Sequence, residues 1–186
     1  SPQTEEERNR KFPEDIFRLV WQERGWFIYE YTDALPRVFL ADSYLVLGDD
    51  QSILDRLFDS SHNLRTLVLE KEPSLRIEKA NDPGEVRILL YGADEVTIET
   101  KTQGNTLLYL SDCYYPGWKA YINGLNVALF RANYAFRAVA VPAGTNYVVF
   151  RYEPGSFLWG KRISVVSLVG LVAVLVVLYR RKRNTV

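Results

Sequence analysis

SDCYYPGWKAYINGLNVALFRANYAFR, residues Ser111–Arg137, is the densest run of strand and turn signals in the chain. Asn123-Gly124, set between Tyr121-Ile122 and Leu125, is the pair most at home in a type I′ turn, where both central residues need positive φ. Pro116-Gly117 marks a second turn just upstream. The stretch thus reads as a strand, a tight aromatic corner, a short strand, a two-residue turn and two further strands. Pro116, Gly117, Asn123 and Gly124 are its structural turn residues.

Working outward, the β pattern continues on both sides. Downstream, Pro142-Ala143-Gly144 is a turn, and Tyr147–Glu153 places Val148, Phe150 and Tyr152 on one face. Upstream, Leu107–Leu110 is apolar on both faces, as a central strand is. Before it come the turn Gln103-Gly104-Asn105, an alternating strand over Asp94–Lys101, and a strand over Val86–Tyr91 closed by Gly92. Six to eight short strands at this spacing imply an antiparallel, jelly-roll-like β-sandwich over 84–156.

The N-terminal side is mixed. Residues 1–11 are polar and carry Glu5–Glu7, a flexible lead-in. Ile16–Gln22 and Trp26–Tyr31 flank Glu23-Arg24-Gly25, which favours a hairpin, with a helix over Pro13–Trp21 as the competing reading. Val38–Leu47 reads as one strand. Asp50 is a candidate cap for a helix over Gln51–Phe58 with Ile53, Leu54, Leu57 and Phe58 on its apolar face. Leu64–Glu70 is a further strand, so 12–72 reads as a small α+β unit containing a βαβ-like element. Residues 73–83 read as a linker.

Ile163–Tyr179 is 17 residues without a charge, near the lower limit for crossing about 30 Å of hydrocarbon. Trp159 and Tyr179 bracket it as interfacial aromatics do. Arg180–Arg183 outweighs Lys161-Arg162, which places the C-terminal tail, 180–186, in the cytoplasm and the β-domain outside. The fold class is therefore mainly β: an α+β unit, a sandwich and one C-terminal transmembrane helix over 163–179.

Composition narrows the function. The chain holds 23 basic and 23 acidic residues, but every acidic residue precedes Lys161, where 23 acidic face 17 basic residues, a net of −6. An acidic body argues against nucleic acid as a partner. With Cys113 alone, no internal disulfide forms. With no methionine, the chain is expected to be a fragment or a processed product. No signal peptide shows at its N-terminus.

Chemistry-bearing motifs are sparse. His62, the single histidine, sits in a polar run and reads as a surface loop residue, without a nucleophile motif to serve. Cys113 reads as packing. One His and one Cys serve a metal poorly, and no Gly-rich phosphate loop occurs. Glu95 and Glu99 read as a solvated strand face. No catalytic residue, metal site or cofactor is therefore assigned. The aromatic cluster has the one functional reading: Tyr114, Tyr115, Trp118 and Tyr121 can stack on sugar faces while Asp112 or Asn123 takes the hydroxyls. Core packing by the same rings is the better-supported alternative, and Trp118 is the ring expected to face outward.

The run from Ser111 to Pro154, with its Tyr-Pro-Gly-Trp corner, Arg-Ala-Asn-Tyr-Ala-Phe-Arg strand, Pro-Ala-Gly turn and Tyr-x-Pro exit, resembles the closing region of YfhO-like bacterial membrane proteins. Ala34-Leu35-Pro36-Arg37, with Tyr29-Glu30 before it, extends the resemblance from about Phe17 to the C-terminus. The resemblance implies a parent with many transmembrane helices, similar to glycosyltransferases that take sugars from polyprenyl-phosphate carriers and decorate lipoteichoic acid or other envelope glycans. The catalytic carboxylate is then expected in an early loop outside this chain. The expected partners are membrane lipid, the rest of the parent chain, and a polyprenyl-phosphate sugar or envelope glycan. A structural or docking module of the envelope is the alternative.

Overall fold

The computed structural model describes residues 11–80, 82 and 84–183. But for Lys11, the expected lead-in lies outside the described residues. So do the side chains of Tyr179 and of Arg181, Lys182 and Arg183 in the basic tail.

The chain divides into two compact units at Arg37/Val38. The first holds an antiparallel hairpin, β1 (Phe17–Glu23) and β2 (Trp26–Tyr31). Arg24 and Gly25 form its turn with φ of 48° and 85°, so the turn residues decide against a helix over Pro13–Trp21. Phe12 stacks on Tyr29 at 4.6 Å and meets Phe17 edge-on.

The second unit is a two-sheet sandwich followed by a helix. Its strands are β3 (Val38–Ala41), β4 (Tyr44–Val46), β5 (Leu67–Leu69), β6 (Glu85–Tyr91), β7 (Glu95–Thr102), β8 (Thr106–Cys113), β9 (Trp118–Ile122), β10 (Leu125–Val127), β11 (Phe130–Ala132), β12 (Phe136–Val141) and β13 (Gly144–Tyr152). One sheet runs β10-β9-β13-β7-β6, the other β3-β8-β12-β11-β5-β4. Val96, Ile98, Ala120, Ile122, Val148 and Phe150 from the first meet Leu40, Leu108, Leu110, Val139 and Val141 from the second in one buried core. These are alternate residues of their strands, as a sandwich requires.

Several local expectations need correction. Val38–Leu47 is not one strand: Asp42-Ser43 breaks it, and β3 pairs with β8 while β4 pairs in parallel with β5. The βαβ-like element is present, with α1 (Asp50–Leu57) between β4 and β5. Its strands join the same sheet as β8, β11 and β12, so pairing runs across the 73–83 stretch. The cap of α1 is Asp49, whose carboxylate accepts from Ser52 N–H at 2.8 Å. Phe58 lies at the C-cap, off the apolar face, and is exposed, whereas Ile53 is fully buried.

The Asn123-Gly124 turn forms as expected, at φ of 51° and 84°, with Ile122 opposite Leu125. Asn123 adds its side chain: Oδ1 accepts from Tyr147 N–H at 2.9 Å and Nδ2 donates to Asn146 Oδ1 at 2.9 Å. A second left-handed pair, Asn133 and Tyr134, at φ of 46° and 69°, turns β11 into β12. Asn133 exchanges two hydrogen bonds of 2.8 Å with the backbone of Val68, which hangs β5 on this turn.

A helix, α2 (Gly155–Arg183), leaves the sandwich three residues after β13. Its Gly155–Val176 portion is long and apolar enough to cross a membrane, and none of it is buried in the protein. It starts eight residues before the expected Ile163, so Trp159, Lys161 and Arg162 are helical, with the Arg162 guanidinium 5.4 Å from the Trp159 ring centre.

Candidate functional site

The two ends of the sandwich differ. β13 runs from Gly144 at one end to Tyr152 at the other, about 27 Å at the usual rise per residue. The Asn123-Gly124 turn and Pro142 lie at the end remote from α2. The Tyr114–Trp118 corner lies at the end from which α2 departs, held by the backbone bond from Glu153 N–H to Gly117 O at 2.7 Å. Gly117 is required here. Its φ is 106°, and a Cβ would stand 2.9 Å from the Tyr152 ring and 3.3 Å from Pro154 Cα.

At that end the core rows of both sheets run out into a cleft of ≈ 820 Å³ lined by Tyr91, Gly92, Ala93, Ser111, Asp112, Cys113, Tyr115, Trp118, Arg137 and Tyr152. The alternation explains who lines it. Trp118 continues the inward row of Ala120 and Ile122, Tyr152 that of Val148 and Phe150, and Arg137 that of Val139 and Val141. Trp118 and Tyr152 are register partners with ring centres 5.5 Å apart. Tyr115 tilts towards Tyr152 at 6.5 Å and is mostly exposed.

Asp112 is brought in by a bulge. The β8–β12 register jumps from Cys113↔Phe136 to Leu110↔Arg137, which leaves Ser111 and Asp112 out of the ladder. Such bulges re-aim side chains beside sites. Arg137 Nη2 donates to Asp112 Oδ2 at 3.0 Å, its Nε to the Asp112 carbonyl at 3.4 Å. Tyr91 hydroxyl donates to both carboxylate oxygens at 3.0 and 3.1 Å. The Arg137 side chain is 3% exposed and Asp112 14%. Burial pulls the Arg137 pKa below its usual value, and the facing Asp112 carboxylate opposes that shift. The guanidinium lies 3.9 Å from the Trp118 ring centre, a cation–π contact. The result is an aromatic-walled recess with a charge-balanced polar floor.

The sequence-derived residues divide accordingly. Tyr115, Trp118 and Asp112 come together. Trp118, expected to face outward, is half-buried against the core, because it sits in the inward row of β9. Tyr114 is partly exposed and does not line the cleft; its backbone N–H donates to Ala135 O at 2.7 Å. Tyr121 lies on the other face of its sheet, its hydroxyl on Glu153 Oε2 at 3.0 Å. Lys119 Nζ joins the same carboxylate at 2.9 Å, and these two hydrogen bonds, Lys119 first, hold the Glu153 carboxyl below its usual pKa. Asn123 is at the remote end with its amide committed to Asn146 and Tyr147. Arg137, Tyr91 and Tyr152 were missed; following the inward rows one residue past the apolar core would have found Arg137 and Tyr152.

Two bland expectations are overturned. His62 is buried, not a surface residue, and its N–H closes a turn on Asp59 O. Cys113 is exposed, since it ends β8 at the cleft rim rather than in the core. Glu95 and Glu99 sit on the outward face, in ion pairs with Arg151 and Arg87. Among the described residues no cluster of His, Cys, Asp and Glu could hold a metal ion.

A sequence model of one family, described as bacterial membrane protein YfhO, matches residues 53–164, more than half of the chain. Neither the search of curated proteins nor that of solved structures gives a match. The matched region covers β5 to β13, the Tyr-Pro-Gly-Trp corner, the cleft and the start of the apolar helix, and the chain belongs to the YfhO family of bacterial membrane proteins.

Proposed function

We propose that this chain is the extracytoplasmic accessory domain and membrane anchor of a multi-pass glycosyltransferase, one that draws on polyprenyl-phosphate-linked sugars to decorate lipoteichoic acid or another envelope glycan. On this reading its cleft contacts the glycan while chemistry occurs elsewhere in the parent, so the chain alone transfers no sugar. The observation that carries the reading is the recess of Tyr91, Tyr115, Trp118 and Tyr152 over Asp112 and Arg137, three residues from a helix fit to span a membrane. Aromatic walls with a few convergent polar groups are what sugar rings are held by. A site at the foot of the anchor is also where a lipid-borne donor and a surface acceptor would meet. Arg180–Arg183 against Lys161-Arg162 supports a cytoplasmic C-terminus.

The test is Tyr115→Ala in the full-length parent, since Tyr115 is exposed and its loss leaves the core intact. Glycan decoration is expected to fall several-fold while membrane abundance stays at the wild-type level. Normal decoration would overturn the glycan-contacting role. A structural or docking module is the second reading, favoured by one observation: Trp118 packs beneath Arg137 and against the core.

A further inference from the structure

Between the last strand and the apolar helix lie only Glu153 and Pro154, so the helix sets how high the sandwich stands above a bilayer. Ile163–Tyr179, the uncharged part of α2, is about 25 Å long at the helical rise, short of the ~30 Å of hydrocarbon to be crossed. Such a shortfall draws the bilayer surface towards the helix ends. Gly155 to Arg162 adds about 12 Å of helix before the sandwich, against a headgroup layer of about 5 to 8 Å on each side. With α2 across a bilayer, the end of the sandwich therefore stands within side-chain reach of the headgroups.

What projects there is Cys113-Tyr114-Tyr115-Pro116, four consecutive exposed and uncharged residues. They are fixed at the level of the helix start. Glu153 N–H donates to Gly117 O at 2.7 Å, and a Cβ at Gly117 would stand 3.3 Å from Pro154 Cα. Next to them, Tyr152 N–H donates to Asp94 O at 2.8 Å and holds the exposed Gly92-Ala93 tip of the β6–β7 turn. Phe157 and Trp159 continue the exposed aromatic set along the first turns of α2. Tyrosine and tryptophan, with an apolar ring and a polar tip, suit the headgroup level. Glu153, the carboxylate beside the helix start, is neutralised by Lys119 Nζ at 2.9 Å. The opposite end of the sandwich is of another kind, with Glu78, Lys79, Glu85 and Lys101 around its loops.

We infer that the Cys113–Pro116 corner is a foot resting in the headgroup layer of the bilayer that α2 crosses, with Tyr114 and Tyr115 among the lipid headgroups. Continuity with the helix names the occupant: the medium around α2, no part of whose apolar portion is buried in the protein, meets this corner next. The cleft takes Tyr91, Gly92, Ala93, Cys113 and Tyr115 from these two loops, so it opens at headgroup level. That layer is hydrated, and Cys113 stays open to water-borne reagents. The inference goes beyond the glycan reading and needs only α2 in a bilayer.

The experiment uses the full chain, one copy per lipid nanodisc of phosphatidylethanolamine and phosphatidylglycerol, with a small fluorophore on Cys113. Nitroxide lipid is included, labelled on the headgroup in one set and at mid-chain in another. The headgroup nitroxide is expected to quench at least twofold more than the mid-chain one. Neither is expected to quench a fluorophore on Leu125→Cys, at the remote end, in a Cys113→Ser chain. Tyr114→Ser with Tyr115→Ser is expected to halve the headgroup quenching without changing the melting temperature, since both side chains are exposed. Equal quenching at the two label sites would overturn the inference, because the sandwich then stands clear of lipid or protein covers the corner. Unchanged quenching in the double variant would overturn the role given to the two tyrosines. The two readings fail separately. Lost decoration in Tyr115→Ala without quenching at Cys113 sinks only this inference, and quenching with normal decoration sinks only the glycan-contacting role.

Discussion

Arg137 lies with its guanidinium 3.9 Å from the centre of the Trp118 ring, each residue coming from a different sheet of the sandwich. The contact closes the core at the end nearest the helix. It also explains how a charge survives there at 3% exposure: Asp112 neutralises it and the ring face takes one side of the plane. Removing one partner of such a pair leaves the other charge stranded.

Asp112→Ala is therefore expected to destabilise the domain by about 3 to 5 kcal/mol, lowering the melting temperature of the full chain in detergent by roughly 10 °C. The double variant Asp112→Ala with Arg137→Met is expected to recover most of that loss, because the charge goes and a long apolar side chain stays against Trp118. Equal destabilisation by the single and double variants would show that the pair is not held as described.

The two glycine turns of the aromatic stretch separate into different physical cases. At Gly117 a Cβ meets the Tyr152 ring at 2.9 Å as well as a φ of 106°; at Gly124 the space is open and only the φ of 84° resists. Gly117→Ala is expected to cost about 1 to 3 kcal/mol and Gly124→Ala nearer 1 kcal/mol. Asn123→Pro is expected to be worse than either, since proline cannot reach φ of 51° and the bonds to Tyr147 and Asn146 vanish. Thermal melts of the three variants check the order, and equal melts for Gly117→Ala and Gly124→Ala would remove the crowding argument.

This difference also shows what the sequence made legible. Asn-Gly, Pro-Gly and the alternation of Val148, Phe150 and Tyr152 are local signals, and each matches its element. The strand-rich look of Val38–Leu47 hid a break at Asp42-Ser43, because pairing partners elsewhere in the chain decide it: β3 against β8, 66 to 72 residues on, and β4 against β5, 23 residues on. The site was half legible. Tyr115 and Trp118 announce themselves by composition and Arg137 by the inward row of its strand, but Tyr91 and Asp112 join them through inter-sheet packing and a bulge at Ser111-Asp112, which no local pattern encodes. His62 was misread because a polar run looks solvated, and its burial is not written in its composition.

His62 gives a pH prediction with a definite sign. Burial, reinforced by nearby Arg56 and opposed by Asp59, pushes its pKa below the ordinary value. The folded state therefore resists a proton that the unfolded chain accepts near pH 6.5. Stability is fully present above that pH and is lost as pH falls from it towards the lower folded value. Because His62 is the single histidine of the chain, His62→Leu is expected to flatten the fall in melting temperature between about pH 7 and pH 5.5, before carboxylates titrate. An unchanged slope in the variant would place the proton uptake elsewhere.

The proposed orientation of the apolar helix rests on its flanks and can be tested at Cys113. Four basic residues, Arg180–Arg183, end the helix beyond its apolar portion and two, Lys161 and Arg162, lie near its start. Positive charge resists translocation, so on the proposed topology the richer flank stays in the cytoplasm and the sandwich faces outward. Cys113 is exposed at the helix end of the sandwich and is the chain's one cysteine. A membrane-impermeant maleimide added to intact cells with accessible envelopes is therefore expected to label the full-length protein, with Cys113→Ser as the control for cysteines elsewhere in the parent. A cytoplasm-silent reporter fused after Val186 is expected to give no signal in the same cells. Labelling at Cys113 that requires permeabilised cells, together with an active reporter, would invert the topology and remove the cleft from the side where envelope glycans are built.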